Sequence, residues 1–130
     1  VLLDDLVIHQ EYDRPFLANL WGYKTWHAIG RGIVTPKGDN KIILFVTRYK
    51  QESLTQYADH LEEGILYMEG ERNHQNDVRL KLSMSSDDEI FLFYRERHHM
   101  PFTYYGQVLL TDYTISVGDI CSKFVFKVPH

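Results

Sequence analysis

The chain has 130 residues, 44% of them hydrophobic, which is core enough for one self-sufficient domain expected to span 1–130. Its formal net charge of −4 argues against a protein that coats nucleic acid indiscriminately, because such affinity comes mainly from neutralised phosphates; a reader with its cations gathered on one side is still allowed. The single Cys121 excludes an internal disulfide, and no apolar run approaches the roughly 20 residues that cross a bilayer.

The start, Val1-Leu2-Leu3-Asp4-Asp5, lacks the basic flank and apolar length of a signal peptide and has no initiator Met. The expectation is a cytoplasmic domain cut from a larger protein. From there, Tyr12-Asp13-Arg14-Pro15 predicts a helix start, with Asp13 as cap and Pro15 in the first turn, where no partner is needed for its missing N–H. Phe16, Leu17 and Leu20 form its apolar face, and Gly22 stops it. A second short helix over 24–29 would make either a helix-turn-helix pair or a packed helical cap. Trp21, Tyr23 and Trp26 beside the glycine are core or interface rings, with a stacking platform as the alternative.

A short strand over 32–35 and a turn over 36–40 lead into a central strand over 41–47. Its run Ile42-Ile43-Leu44-Phe45-Val46 has no polar alternation, so both faces should be covered. It empties into Thr47-Arg48-Tyr49-Lys50-Gln51, with Tyr57 nearby. Arg48 and Lys50 suit phosphates, Gln51 suits a base edge and a Tyr can stack on a base. Residues 53–60 read as a short helix or an ordered loop, and 65–69 as a strand.

The polar stretch Met68 to Asp77 contains Glu71, His74 and Asp77, which could read a base edge or cap the helix expected over 77–84. Its carboxylates and single His match no strong metal signature, so no metal or cofactor is expected. The strand expected over 89–95, Ile90-Phe91-Leu92-Phe93-Tyr94, runs into Arg95, Arg97, His98 and His99, then Pro101 to Gly106. Arg95 and Arg97 suit phosphates, and Tyr104 or Tyr105 could wall an unstacked base. A solvated hairpin beside core-packed rings is the competing reading. Strands over 103–110 and 123–128 complete an α+β domain, a curved mixed sheet or partly closed barrel with short flanking helices.

Several blocks together resemble a known family: Leu20-Trp21-Gly22-Tyr23, Arg31-Gly32-Ile33-Val34-Thr35-Pro36, Leu44-Phe45-Val46-Thr47 with Lys50-Gln51, Gln56-Tyr57, Glu69-Gly70-Glu71 with His74 and Asp77, and Ile90 to Arg95 leading to Pro101-Phe102-Thr103-Tyr104-Tyr105-Gly106. They resemble the accessory domain of modification-dependent (type IV) restriction proteins, which occurs beside HNH nucleases or after phospholipase-D-type nuclease and helicase modules. The resemblance runs from about Tyr12 to the end and departs at Tyr67-Met68-Glu69, where relatives are expected to carry a Trp.

It implies a DNA reader akin to SRA, EVE and B3 folds, small barrels that in some cases flip a modified base. The expected partners are double-stranded DNA, plain or base-modified, and a nuclease domain in cis; no membrane partner and no catalytic residue are expected in this chain. The DNA-contacting set is Arg31, Thr47, Arg48, Tyr49, Lys50, Gln51, Tyr57, Glu71, His74, Asp77, Arg95, Arg97, His98 and Tyr104. An unmodified-sequence groove reader of B3 type and a protein-interaction domain are the alternatives.

Overall fold

The computed structural model of the chain describes residues 1–49 and 59–130. Among these, eight strands form one mixed sheet: β1 (Glu11–Tyr12), β2 (Ile33–Val34), β3 (Lys41–Tyr49), β4 (His60–Glu62), β5 (Ile65–Glu69), β6 (Glu89–Arg97), β7 (Phe102–Thr114) and β8 (Lys123–Lys127). Their order is β2-β3-β6-β7-β8-β5-β4, with β1 added against β7. β2 and β4 are the ends of this path, so the sheet curls without its edges pairing. Two short helices, α1 (Arg14–Leu20) and α2 (Asp77–Leu82), and a 3-10 helix at Trp26–Ile29 flank it. No helix among the described residues is long and apolar enough to cross a membrane.

The unbroken apolar runs of β3 and β6 are explained by their position. They are adjacent parallel strands covered on both faces, the arrangement that demands hydrophobic residues at consecutive positions. Ile42, Leu44 and Val46 join Ile90, Leu92 and Tyr94 in one core with β5, β7, β8 and Leu80 of α2. Ile43, Phe45 and Phe93 face the other way, into a core closed by Leu3, Leu6, Leu17, Ala18 and Ile29. Phe45 anchors this second core, stacking on Phe93 and meeting Phe102 edge-on, each ring centroid 5.1 Å away.

β7 serves both cores because it is bulged. Leu92 pairs with Gly106 but Phe93 pairs with Tyr104, leaving Tyr105 as the extra residue. Gly106 adopts φ 75, a value that a side chain would strain. The extra residue inverts the facing of the strand: Phe102 and Tyr104 point into the helical-side core, Val108 and Leu110 into the other.

The helix start forms as the sequence predicts. The Asp13 carboxylate accepts the Phe16 N–H at 2.8 Å, Pro15 sits in the first turn and Gly22 follows at φ 82. Seven residues are too few for an isolated helix. Burial of Leu17 and Ala18 against the sheet supplies what length does not. The second helix shrinks to a four-residue 3-10 turn that buries Ile29, so the pair is a packed cap rather than a helix-turn-helix. Trp21 packs edge-on to Phe93 and donates its indole N–H to the Leu2 carbonyl, whereas Trp26 is exposed. β1 and β4 are additions to the predicted elements, and β3, β6 and β7 each run longer than predicted. Of the stretch 53–60, only residues 59 and 60 are described, and His60 begins β4.

Candidate nucleic-acid interface

Because β3 and β6 run parallel and side by side, their C-terminal ends emerge together. Thr47 pairs with Arg95 and Tyr49 with Arg97. The Arg95 Nε–H donates to Thr47 Oγ1 at 2.8 Å and an Nη1–H to the Met100 carbonyl at 3.1 Å, while the guanidinium lies 4.2 Å from the Phe102 ring centroid. Tyr49 is exposed, with Arg48 and Arg97 placed 5.1 and 5.4 Å from its ring centroid. Arg48 also approaches Glu96 at 4.0 Å. The result is a ridge in which two guanidiniums flank one exposed phenol, with Arg95 two residues back along β6 against Phe102. Of the expected contact residues, Thr47, Arg48, Tyr49, Arg95 and Arg97 come together here; Lys50, Gln51 and Tyr57 lie outside the described residues.

Beside the ridge a groove of about 420 Å³ runs between α1, the 3-10 helix and the β6–β7 hairpin. Its cations are Arg14 and Arg95, with His98 and His99 at the rim. Burial, then the charges of His99, Arg95 and Arg14, hold the His98 imidazole below its ordinary range. Arg31 is exposed nearby, its carbonyl accepting from Arg14 Nη2 at 3.3 Å. No local pattern distinguishes Arg14 from other residues of a helix start, because its neighbour Arg95 comes from a hairpin some 80 residues along the chain.

A second cleft, of about 250 Å³, opens where β3 faces the end of β5. Ile33 and Val46 line it from β2 and β3, Met68 to Arg72 from β5 and the loop after it, and Asp59 joins them. The Asp59 carboxylate accepts the Glu69 N–H at 2.9 Å, and the Leu61 N–H donates to the Tyr94 hydroxyl at 3.3 Å, which ties β4 to β6. Glu71 lines this cleft and accepts from Asn76 Nδ2 at 2.7 Å. Asp59 was legible only as part of an acidic stretch, since its burial comes from tertiary packing.

His74 and Asp77, expected at a base edge, are instead turned inward. Asp77 is buried, and its Oδ2 accepts from Ser122 Oγ at 2.6 Å and from His74 Nδ1 at 2.7 Å. His74 Nε2 faces the Gly118 carbonyl at 2.9 Å. Both ring nitrogens therefore meet acceptors, which calls for a proton on each, and the Asp77 bond foremost, then Gly118, raises the His74 pKa. This clamp fastens the loop before α2 to the loop before β8. It is not a nucleophilic triad: the fully buried Ser122 hydroxyl donates to the carboxylate and does not face the imidazole. Among the described residues no three His, Cys, Asp or Glu side chains gather as a cation site.

Tyr104 also differs from expectation. It is buried 4.8 Å from the Phe93 ring centroid, and burial pushes its phenol up to about 12. The bulge at Tyr105 turns it into the core, so it walls no surface pocket.

No protein-family model matches the chain, and no curated protein matches it. Solved structures do. The SRA domain of SUVH5 in complex with fully methylated CG DNA is 18% identical, with a TM-score of 0.66 over 99% of this chain and 93% of that one. The same domain with methylated CHH DNA gives 16% and 0.65, and with hemi-methylated CG DNA 18% and 0.64, at the same coverage. The chain thus has an SRA-like fold, an α+β domain built on a curved mixed sheet.

Proposed function

We propose that this chain is a DNA-binding specificity module that reads a modified base, and that it serves a restriction or defence protein whose nuclease occupies a separate domain in cis, in the cytoplasm. The observation that carries this reading is the ridge of Arg48, Tyr49, Arg95 and Arg97 at the paired ends of β3 and β6, within a fold shared with SRA domains bound to methylated DNA. The cations hold phosphates and the ring offers a stacking face.

The cleft between β3 and β5 is the place for an extruded base. Its carboxylates, Asp59, Glu69 and Glu71, are acceptors of the kind that pair with the exocyclic amine of cytosine. Ile33, Val46 and Met68, which share one core, supply apolar wall, Met68 standing in the block where the expected Trp is missing. Extrusion costs a few kcal/mol, and hydrogen bonds to these acids together with wall contact must offset it. No residue is assigned a catalytic role. The restriction setting rests on the resemblance of the sequence blocks alone.

A panel of duplexes, unmodified or carrying methylcytosine, hydroxymethylcytosine or methyladenine, tests the reading by fluorescence anisotropy. Tighter binding of a modified cytosine duplex is expected, with preference lost in Asp59→Asn. A B3-type groove reader, favoured by the exposure of Tyr49 on an open ridge, would bind one sequence regardless of modification. Affinity insensitive to salt would remove both readings and favour a protein partner.

A further inference from the structure

The groove between α1, the 3-10 helix and the β6–β7 hairpin holds more positive charge than its surroundings neutralise. Arg14 and Arg95 both lie on the Phe102 ring, 4.9 and 4.2 Å from its centroid, and Arg14 also lies 4.8 Å from that of Phe45. Neither has a carboxylate within ion-pair distance among the described residues. Among the described residues the one acid lining the groove, Asp13, already accepts the Phe16 N–H as a helix cap. Burial and the charge of Arg95 together bring Arg14 down to about 10, and its Nε is buried with no hydrogen-bond partner.

Like charges held together on an apolar floor without a counter-ion among the described residues oppose folding, and an anion would complete the site. The planar guanidinium fork matches phosphate oxygens, and Arg–phosphate pairs are often bidentate. Trp26 flanks the groove, exposed and stacked on His27 with centroids 4.2 Å apart, as a flat apolar wall beside the charge. The groove also runs into the ridge through Arg95, which belongs to both.

We propose that this groove binds a backbone phosphate of nucleic acid, gripped by Arg14 and Arg95 over Phe102, outside the cleft where the base is read. The proposal rests on the DNA-reading function above and extends it to a second contact centred on Arg14.

The test compares the full chain with Arg14→Gln for binding to a methylated CG duplex across a range of salt. Loss of about tenfold in affinity is expected, with the log–log salt slope reduced by about one, as for one phosphate contact removed. Trp26→Ala, at an exposed position, should lose affinity with the slope kept. Unchanged affinity and slope in Arg14→Gln, while the parent chain binds, overturns the groove and leaves the DNA reading intact. If Arg14→Gln does not fold, Arg14→Lys decides: kept slope with weaker binding supports the fork, and undiminished affinity overturns it.

If the parent chain binds no duplex, the DNA reading fails and inorganic phosphate is titrated against the arginine Nε–H resonances. A saturable shift of Arg14 and Arg95 retains the anion site but overturns its assignment to a nucleic-acid backbone; no shift overturns the site as well. Where the parent chain does bind duplex, a deoxynucleoside monophosphate that displaces it at micromolar levels and shifts the Arg14 and Arg95 resonances would overturn the backbone assignment and give the groove to a free nucleotide.

Discussion

Thr47 and Arg95 sit opposite each other on adjacent parallel strands, and the Arg95 Nε–H donates to the Thr47 hydroxyl at 2.8 Å. That bond orients a guanidinium which burial already places at a disadvantage, lowering its pKa. Thr47→Val keeps the shape and removes the acceptor. Leaving such a donor unpaired costs about 1–3 kcal/mol, and partial solvent contact at Arg95 puts the expectation at the low end. Urea denaturation should show a reduced midpoint with an unchanged slope, and duplex affinity should fall with it. A variant as stable as the parent would mean that Arg95 needs no orienting partner.

The His74 clamp gives a pH dependence with a definite sign. Hydrogen bonds to Asp77, then to Gly118, raise the folded-state pKa above the ordinary 6.5. The folded state therefore holds its proton longer than the unfolded chain, and the stabilisation is fully present below the unfolded value. It is lost as pH rises through the raised folded value. The stability gap between the parent chain and His74→Gln should be widest in mild acid and shrink on alkalinisation. Denaturation curves over a pH series measure it, and a gap that grows with pH would mean that the ring is neutral in the fold.

Much of the architecture could be read in advance because it is written in local pattern. The uninterrupted run from Ile42 to Val46 predicts a strand covered on both faces, which β3 is, and the apolar run from Ile90 to Tyr94 predicts the strand that is β6. What escaped depends on facing and on distant partners. Tyr104-Tyr105-Gly106 does not say which ring turns inward, because the bulge resets the alternation. His74, at φ 58, leaves the regular backbone that its spacing from Asp77 suggests, and its ring points to a loop 44 residues on. The three residues of β4 are too short to carry a period at all.

Gly70 marks a point where the clamp and the cleft between β3 and β5 meet. A Cβ there would lie 2.8 Å from Asp77 Oδ1 and 3.0 Å from Phe124 Cε2, while the Gly70 N–H is fixed to the Ser122 carbonyl at 2.8 Å. Neither neighbour is the free end of a flexible chain, so Gly70→Ala should destabilise by about 1–3 kcal/mol through overpacking. It should also disturb the cleft that Gly70 lines and weaken any preference for a modified duplex. Gly22→Ala is the control: its φ of 82 strains a side chain, but nothing lies within 4 Å, so about 1 kcal/mol and no change in preference are expected.

Tyr49 and Tyr104 separate contact from core. Both are tyrosines near the ends of apolar runs, yet Tyr49 is 46% exposed between two arginines and Tyr104 only 4%, packed on Phe93. Tyr49→Ala removes a ring that holds nothing inside the fold, so melting should stay near the parent value. Duplex binding should weaken by about 1–3 kcal/mol if a base or sugar stacks there. Tyr104→Ala deletes a buried aromatic ring, with an expected cost of about 3–5 kcal/mol in stability. Any loss of binding in that variant should disappear once affinity is referred to the folded fraction, because its ring is buried in the core and not on the exposed ridge. Anisotropy and thermal denaturation on the same samples distinguish the two, and a Tyr104 variant that is stable but selectively blind to modification would reverse the assignment.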